Sequence, residues 1–356
     1  MRIDPEAYNF EFPESLIAQS PAHPRDSARL LVYDRKNTEV KLDTFKNLLK
    51  YLPPKAVIVF NETKVVPARF FAYKSTGGKV ELLYTGKTAK AFDALANRSL
   101  NVGDVLTVSS AVSSPGVRQE KIGNGYQITV AKKLSKGYRF KASFAVPELF
   151  SILDRFGITP IPPYIKNNTL AEKKLRGEYQ TVFAKTAGSS AAPTASLHFT
   201  AGLLSKLKKA GISTEYVTLH VGLGTFAPLT DKHIQTRKLH KEWYEISSAT
   251  AKRLEDYKKQ GRPIIAVGTT VVRTLESAAT AAGKLRKLSG ETEIFIYPPY
   301  TFKFVDSLIT NFHVPKSSLM MLVASLIGPK KLLELYAMAV KKKFRLFSFG
   351  DGMLIK

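Results

Sequence analysis

Apolar positions along the chain change period twice. In the first sixty residues, Leu30-Leu-Val-Tyr-Asp34 and Ala56-Val-Ile-Val-Phe60 are short, nearly continuous apolar runs of the kind that form buried strands, and Thr44–Tyr51 between them reads as a short helix. From about Glu62 to Val146 the pattern becomes short alternating runs: Val80–Tyr84, Val105–Val108, Tyr126–Val130 and Tyr138–Phe144. Gly77-Gly78, Gly103-Asp104, Gly123-Asn-Gly125 and Lys136-Gly137 separate them as turns. Regular strands with such turn signals, with room for one helix, predict a small β-barrel or sandwich.

After Pro147 helices and strands alternate. A helix over Glu148–Phe156 leads into the rigid Pro160-Ile-Pro-Pro163 stretch. Then come helix Leu203–Ala210, strand Thr214–Val221, helix Ser248–Lys259, strand Pro263–Val267, helix Val271–Ala282 and strand Glu293–Tyr297. Helices Ser318–Ile327 and Lys330–Lys342 follow. This alternation predicts an α/β fold, a mostly parallel sheet flanked by helices. The expected organisation is a discontinuous α/β catalytic domain, 1–61 and 147–356, with a small β-barrel domain inserted at 62–146.

The 356 residues are 44% hydrophobic and 23% charged, enough for a real core, which excludes disorder, collagen and coiled coil as descriptions of the whole. Cysteine is absent, so disulfides, thiolate metal sites and cysteine nucleophiles are excluded together. The N-terminus has no apolar leader, and the run Leu319–Ile327 is shorter than the ~20 residues a membrane span needs. A cytoplasmic protein with no membrane segment is expected. The net charge of +25 draws polyanions, with local clusters at Lys206, Lys208 and Lys209 and at Lys341, Lys342, Lys343 and Arg345. A lysine-rich surface also serves solubility, so charge alone names no partner.

In open α/β sheets, ligands sit where strand ends run into helix N-termini. Pro263-Ile-Ile-Ala-Val-Gly268 is such a strand, with Thr269-Thr270 expected to cap the next helix and offer free N–H groups to a carboxylate or phosphate. Arg273 and Glu276 stand at i, i+3 in that helix and are spaced to pair. Gly222 and Gly224, in His220-Val-Gly-Leu-Gly-Thr-Phe226, permit close approach of a ligand or simply a tight turn. The third glycine of a dinucleotide fingerprint is missing. His240, Glu242 and Tyr244 share one strand face, lining a pocket or facing solvent. Lys316, before a helix capped by Ser317, offers another anion position. His198 lies in the small-residue loop Ala191-Ala-Pro-Thr-Ala-Ser-Leu-His-Phe-Thr200, just before a helix cap whose dipole favours neutral imidazole. The histidines show no metal-ligand spacing, so no metal is expected. These residues describe a basic α/β enzyme with a small anionic ligand.

The same stretches, in the same order, resemble the S-adenosylmethionine:tRNA ribosyltransferase-isomerases of queuosine biosynthesis. The resemblance runs through Phe12-Pro-Glu-Ser-Leu-Ile-Ala-Gln19, Asp26-Ser-Ala-Arg-Leu-Leu-Val32, Asn61-Glu-Thr-Lys-Val-Val-Pro-Ala-Arg69 and Gly78-Lys-Val-Glu-Leu82. It continues through Ile161-Pro-Pro-Tyr164, Tyr179-Gln-Thr181, Ala191-Ala-Pro-Thr194, Leu197-His-Phe-Thr200 and the His220–Phe226 stretch. It ends with Val267-Gly-Thr-Thr-Val-Val-Arg-Thr-Leu-Glu276, Phe295-Ile-Tyr-Pro298, Thr310-Asn-Phe-His313, Pro315-Lys-Ser317 and Phe349-Gly-Asp351. The sequence departs from the family pattern at Ser190, Ser196 and Pro299, and in Tyr84-Thr-Gly-Lys87, where an arginine-containing segment is usual.

The resemblance implies an α/β domain with an inserted barrel, tRNA as partner, and S-adenosylmethionine consumed as co-substrate with no further cofactor. The implied reaction moves the ribosyl part of S-adenosylmethionine to 7-aminomethyl-7-deazaguanine at the tRNA wobble position, giving epoxyqueuosine-tRNA, adenine and methionine. With the stretches above, His198 is the leading acid–base candidate, and His220, His313 and Glu276 compete with it. Thr194, Gly222, Gly224, Gly268, Thr269, Thr270 and Arg273 are candidates to hold S-adenosylmethionine. Tyr164, Glu242 and Lys316 are candidates for the tRNA base. A monomer is expected. A methyltransferase using the same co-substrate and a non-catalytic RNA-binding protein are the alternatives. The first would want a glycine-rich first turn and an acidic ribose ligand that the sequence lacks.

Overall fold

The computed structural model of the chain describes residues 3–109, 125–222 and 229–356. Strands β1 (Arg29–Tyr33) and β2 (Val40–Thr44) form a hairpin, and a 3₁₀ helix, Phe45–Tyr51, leads to β3 (Val57–Asn61). After β4 (Thr63–Val65), six strands follow: β5 (Arg69–Lys74), β6 (Lys79–Lys87), β7 (Phe92–Ala96), β8 (Val105–Ser109), β9 (Gln127–Lys133) and β10 (Tyr138–Ala142). They close into a barrel in the order β10-β7-β6-β5-β8-β9. Helices α1 (Leu149–Phe156) and α2 (Glu172–Glu178) bring the chain to β11 (Thr186–Ser189), which pairs in parallel with β4.

The remainder runs α3 (Ala201–Lys209), β12 (Ser213–Leu219), α4 (Asp231–Thr236), β13 (Lys238–Glu245), α5 (Ser248–Lys259), β14 (Ile264–Val267) and α6 (Thr269–Ala278). It ends with β15 (Ser289–Ile294), β16 (Ser307–Asn311), α7 (Ser318–Ile327), α8 (Pro329–Lys341) and β17 (Gly352–Ile355). The large sheet has nine strands in the order β15-β13-β12-β3-β14-β16-β17-β1-β2. Its centre, β12-β3-β14-β16, is parallel as strand–helix alternation predicts, and so is the β17–β1 pair. The margins and the β16–β17 pair are antiparallel, so the sheet is mixed and less parallel than expected. Alternating elements do not reveal this, because an antiparallel neighbour needs no crossover connection.

Strand alternation explains the layers. Val57, Val59, Val217, Leu219, Ile264 and Ala266 face one way, onto Leu254, Val271, Leu275, Met320 and Leu335 of α5–α8. Ile58, Phe60, Ile265, Val267, Ile309 and Leu354 face the other way, onto Leu203 and Leu207 of α3 and Phe45 and Leu48 of the 3₁₀ helix. Each such side chain is worth about 1.5–3 kcal/mol when buried. The barrel has its own core of Phe70, Leu82, Phe92 and Phe140, closed by Leu149, Ile152 and Leu153 of α1. Its Phe92-Asp-Ala-Leu-Ala96 is a strand, although Ala and Leu favour helices. Phe92 and Ala94 point inward, and the backbone is paired on both sides, so burial and pairing override propensity.

Two boundaries differ from expectation. The last sheet-edge strand is Ser289–Ile294, earlier than Glu293–Tyr297, because it is paired along β13. Helix α6 begins at Thr269, so Thr269 and Thr270 are its first residues and not its caps. The cap is Gly268, whose φ of +89° favours glycine and turns β14 into the helix.

Glu276 locks that helix to the chain beyond β15. Its carboxylate, 1% exposed, accepts from the backbone N–H groups of Lys303, Phe304 and Val305 at 2.9, 3.0 and 3.1 Å and from the Tyr300 hydroxyl at 3.1 Å. Replacing it strands several buried donors, each costing about 1–3 kcal/mol. Glu276→Ala is therefore expected to lose at least ~3 kcal/mol in urea unfolding. A variant as stable as wild type would show that solvent reaches these N–H groups.

Candidate active site

Strands β3, β12, β14 and β16 end at one edge of the sheet, and two adjoining cavities open there, sharing Leu319. The larger, about 550 Å³, is walled by Tyr164, the Ala192–Ala195 loop, Val221, Gly268–Thr270, Thr310–Val314, Phe347 and Ser348. The smaller, about 470 Å³, lies among His233, His240, Glu242, Arg273, Ser318 and the apolar side chains of Leu229, Leu239, Ile294, Ile296 and Leu322.

Arg273 and Glu242 are each 4% exposed and form an ion pair from Nη1 to Oε2. Glu242 is held in turn by the Gly222 N–H, which donates to Oε1 at 2.9 Å. Nε and Nη2 of Arg273 have no hydrogen-bond partner among the described residues. A buried guanidinium with open donors is expensive, and its Nε/Nη2 edge has the two-pronged geometry that receives a carboxylate. The Thr270 hydroxyl, on the larger cavity, is also buried without a partner. The expected Arg273–Glu276 pair is not made, since Arg273 turns to β13 and Glu276 is claimed by the 303–305 backbone.

Of the four acid–base candidates, only His313 lines a cavity, the larger one. Its Nε2 lies 2.9 Å from the Thr310 hydroxyl, and burial pushes its pKa down to about 3, so the ring is neutral. His198 is buried behind the wall. Its ring stacks on Phe45 with centroids 4.0 Å apart, and Nε2 lies 3.3 Å from the Asn311 amide nitrogen. Burial, with Arg345 and Arg25 nearby, pushes it down to about 3. The neutral imidazole expected for His198 is there, and burial rather than a helix dipole is the main cause. Asn311 passes the contact on, accepting from the Thr194 hydroxyl at 3.0 Å.

His220 stacks on Trp243 and contacts the Thr63 hydroxyl at 2.8 Å, and burial and Lys87 push its pKa down to about 4. Neither His220 nor Glu276 lines either cavity. Tyr164 does, its hydroxyl 2.6 Å from that of Ser348. Lys316 does not. Its Nζ is 2.8 Å from Glu6 and its N–H donates to the Tyr8 carbonyl, so it anchors the N-terminal segment. Gly224 lies outside the described residues.

His233, Phe347 and Ser348 escaped the sequence reading, whereas His240, read as lining a pocket or facing solvent, lines the smaller cavity. His233 and His240 meet edge to face, centroids 4.6 Å apart, with burial lowering both pKa values and Lys136 lowering them further. The available signal was Thr230-x-x-His233, which forms a capping box, beside the alternation from His240 to Tyr244. Phe347 and Ser348 adjoin the Phe349-Gly-Asp351 motif, whose own role is structural. A Cβ on Gly350 would stand 2.4 Å from the Arg345 carbonyl, and Asp351 accepts from the N–H groups of Arg29 and Arg345. Of the unusual positions, Ser190 donates to the Tyr84 carbonyl at 2.7 Å, while the buried Ser196 hydroxyl has no partner among the described residues. Among the described residues no group of three metal-ligating side chains occurs, and no helix is long and apolar enough to cross a membrane.

The family model described as "Queuosine biosynthesis protein" matches residues 5–355. The S-adenosylmethionine:tRNA ribosyltransferase-isomerase of Caldanaerobacter subterraneus subsp. tengcongensis is 43% identical over 350 residues, 98% of each chain. The enzyme of that name from Halothermothrix orenii is 42% identical over 357 residues, covering 98% of this chain and 99% of its own. Among solved structures, the S-adenosylmethionine tRNA ribosyltransferase of Thermotoga maritima is similar with a TM-score of 0.54 and 30% identity, over 98% of this chain and all of that one. Near-complete coverage at this identity, on the α/β-plus-barrel architecture, makes the chain a member of the S-adenosylmethionine:tRNA ribosyltransferase-isomerase family of queuosine biosynthesis.

Proposed function

We propose that the enzyme transfers and isomerises the ribosyl moiety of S-adenosylmethionine onto 7-aminomethyl-7-deazaguanine in tRNA, releasing adenine and methionine. The observation that carries this reading is the open Nε/Nη2 edge of Arg273 in a cavity that adjoins a second, mostly apolar one bearing threonine hydroxyls. The methionine carboxylate of S-adenosylmethionine takes that edge, with Glu242 fixing the guanidinium from the other side. The adenosine half occupies the larger cavity, where Thr194, Thr269 and Thr270 offer hydroxyls and the α6 N-terminus offers free N–H groups.

The sulfonium of the co-substrate acidifies the adjacent C5′ protons, so a neutral base starts the reaction without a metal. His313 is the group placed for this, neutral and on the cavity wall. Departing adenine needs a proton or hydrogen bonds to its ring, and the same imidazole, once protonated, can supply one. His198 is a positioning residue, acting through Asn311 on Thr194. The apolar walls, Phe312, Leu319 and Phe347 among them, keep water from the electrophilic sugar.

The decisive assay incubates the protein with S-adenosylmethionine and tRNA bearing the deazaguanine base and identifies the products by mass spectrometry. Adenine and methionine support the reading, and S-adenosylhomocysteine would make the protein a methyltransferase instead. Arg273→Lys keeps the charge but loses the fork. It is expected to raise KM for S-adenosylmethionine ~10–100-fold while leaving KM for tRNA unchanged, and equal shifts in both would remove the carboxylate from this site.

His313→Asn is expected to bind S-adenosylmethionine and to lose at least ~100-fold in adenine release. Near-normal turnover in that variant would return His313 to a wall residue. His198 and His313 have folded pKa values near 3, below the unfolded 6.5, so the unfolded chain binds more protons between those values. Their contribution to stability is present above pH ~6.5 and lost as pH falls toward 3. The urea midpoint should fall between about pH 7 and 4.5, and fall less in His198→Phe, which removes one of the two groups. Identical pH dependence in both proteins would contradict the neutral buried imidazole.

A further inference from the structure

The barrel carries uncompensated positive charge on one rim. Residues 62–146 hold 14 Lys+Arg against five Asp+Glu. Each carboxylate described within β5–β10 and their turns is already paired: Glu81 with Arg69 at 3.5 Å, Asp93 with Arg139 at 2.8 Å and Asp104 with Lys74 at 2.9 Å. Arg98 and Lys133 are exposed and make no ion pair among the described residues. Both line an open polar cavity of about 630 Å³, between the chain following β7 and the turn joining β9 to β10, together with Asn97, Ser99 and Ser135. The turn is pressed onto β7, since a Cβ on Gly137 would stand 2.4 Å from the Ala94 carbonyl, so the cavity wall is held by backbone.

The same turn reaches the active site. Lys136 Nζ is 3.5 Å from Nε2 of His240, which lines the smaller active-site cavity. Of the two basic clusters conspicuous in the sequence, the one on α3 lies elsewhere. Lys206, Lys208 and Lys209 end α3, just before β12, whose first residue Ser213 pairs with Val57 at the start of β3. They therefore sit at the edge of the sheet opposite the cavities.

We infer that the tRNA phosphate backbone crosses the β9–β10 rim of the barrel, with Arg98 and Lys133 holding phosphates and the turn guiding the strand to the cavity beside His240. The assignment rests on the tRNA reading proposed above. Neutral donors beside two unpaired cations suit a phosphodiester chain, and the shared turn supplies continuity between the phosphate seat and the reacting base.

The test measures binding of tRNA bearing the deazaguanine base by fluorescence anisotropy between about 50 and 200 mM salt. Wild type is compared with Arg98→Gln/Lys133→Gln and with Lys206→Gln/Lys208→Gln/Lys209→Gln. The barrel variant is expected to lose at least ~10-fold in affinity, with a log–log salt slope shallower by about 1.5, two phosphates at ~0.7–0.9 each. Its melting temperature, S-adenosylmethionine affinity and kcat at saturating tRNA should match wild type. The α3 variant should stay within about twofold of wild type. A barrel variant with the wild-type slope, or a loss confined to the α3 variant, overturns the assignment while leaving the reaction intact. Wild type that neither binds the tRNA nor releases adenine overturns the functional reading and this surface with it.

Discussion

A buried guanidinium with two of its three nitrogens open is the constraint around which the rest of the site is arranged. Arg273 projects from the second turn of α6 into a space that water hardly reaches. Such a charge persists only if a carboxylate is held beside it, and Glu242 is held by the Gly222 N–H and by its place on β13. Three separate stretches of chain are thereby tied together: the end of β12, the middle of β13 and the start of α6. What the pair leaves unsatisfied, Nε and Nη2, is a two-pronged donor edge of the kind that suits a carboxylate.

The same logic separates residues that build the site from residues that do its chemistry. Glu276 and Asp351 are buried carboxylates saturated by backbone N–H groups, and they fasten loops. His198 is buried and His220 half-buried, each stacked on an aromatic ring away from the cavity surface. His313 differs because it reaches the cavity surface while keeping the neutral form that burial imposes. Burial lowers the pKa of all three rings, so position rather than pKa sets His313 apart.

The barrel adds a long-range field to this short-range chemistry. Among the described residues of β5–β10 and their turns each carboxylate is paired with a nearby cation, which leaves a surplus of lysine and arginine. Charge of this kind speeds the approach of a polyanion and sets salt dependence, while hydrogen bonds in the cavities decide what reacts. One turn links the charged rim to the cavity beside His240.

Much of the fold was legible along the chain. The apolar run Ala56–Phe60, the turns of the barrel segment and the helix at Ser248–Lys259 are local patterns, and local periodicity decides which face of an element is buried. The motifs at Gly268–Arg273, Thr194 and Asn311–His313 likewise lie at the edge of the sheet where the cavities open, at the carboxyl ends of the parallel strands. Tertiary structure alone decided the partners. Arg273 found Glu242, 31 residues earlier, in place of its helix neighbour Glu276, and His198 found Phe45, distant in sequence, on the same face of the sheet. Strand direction at the sheet margins and the far-edge position of Lys206–Lys209 were settled the same way. Sequence spacing reports which side chains share a face, whereas pairing and burial of charge depend on distances between elements, and those exist only once the chain has closed on itself.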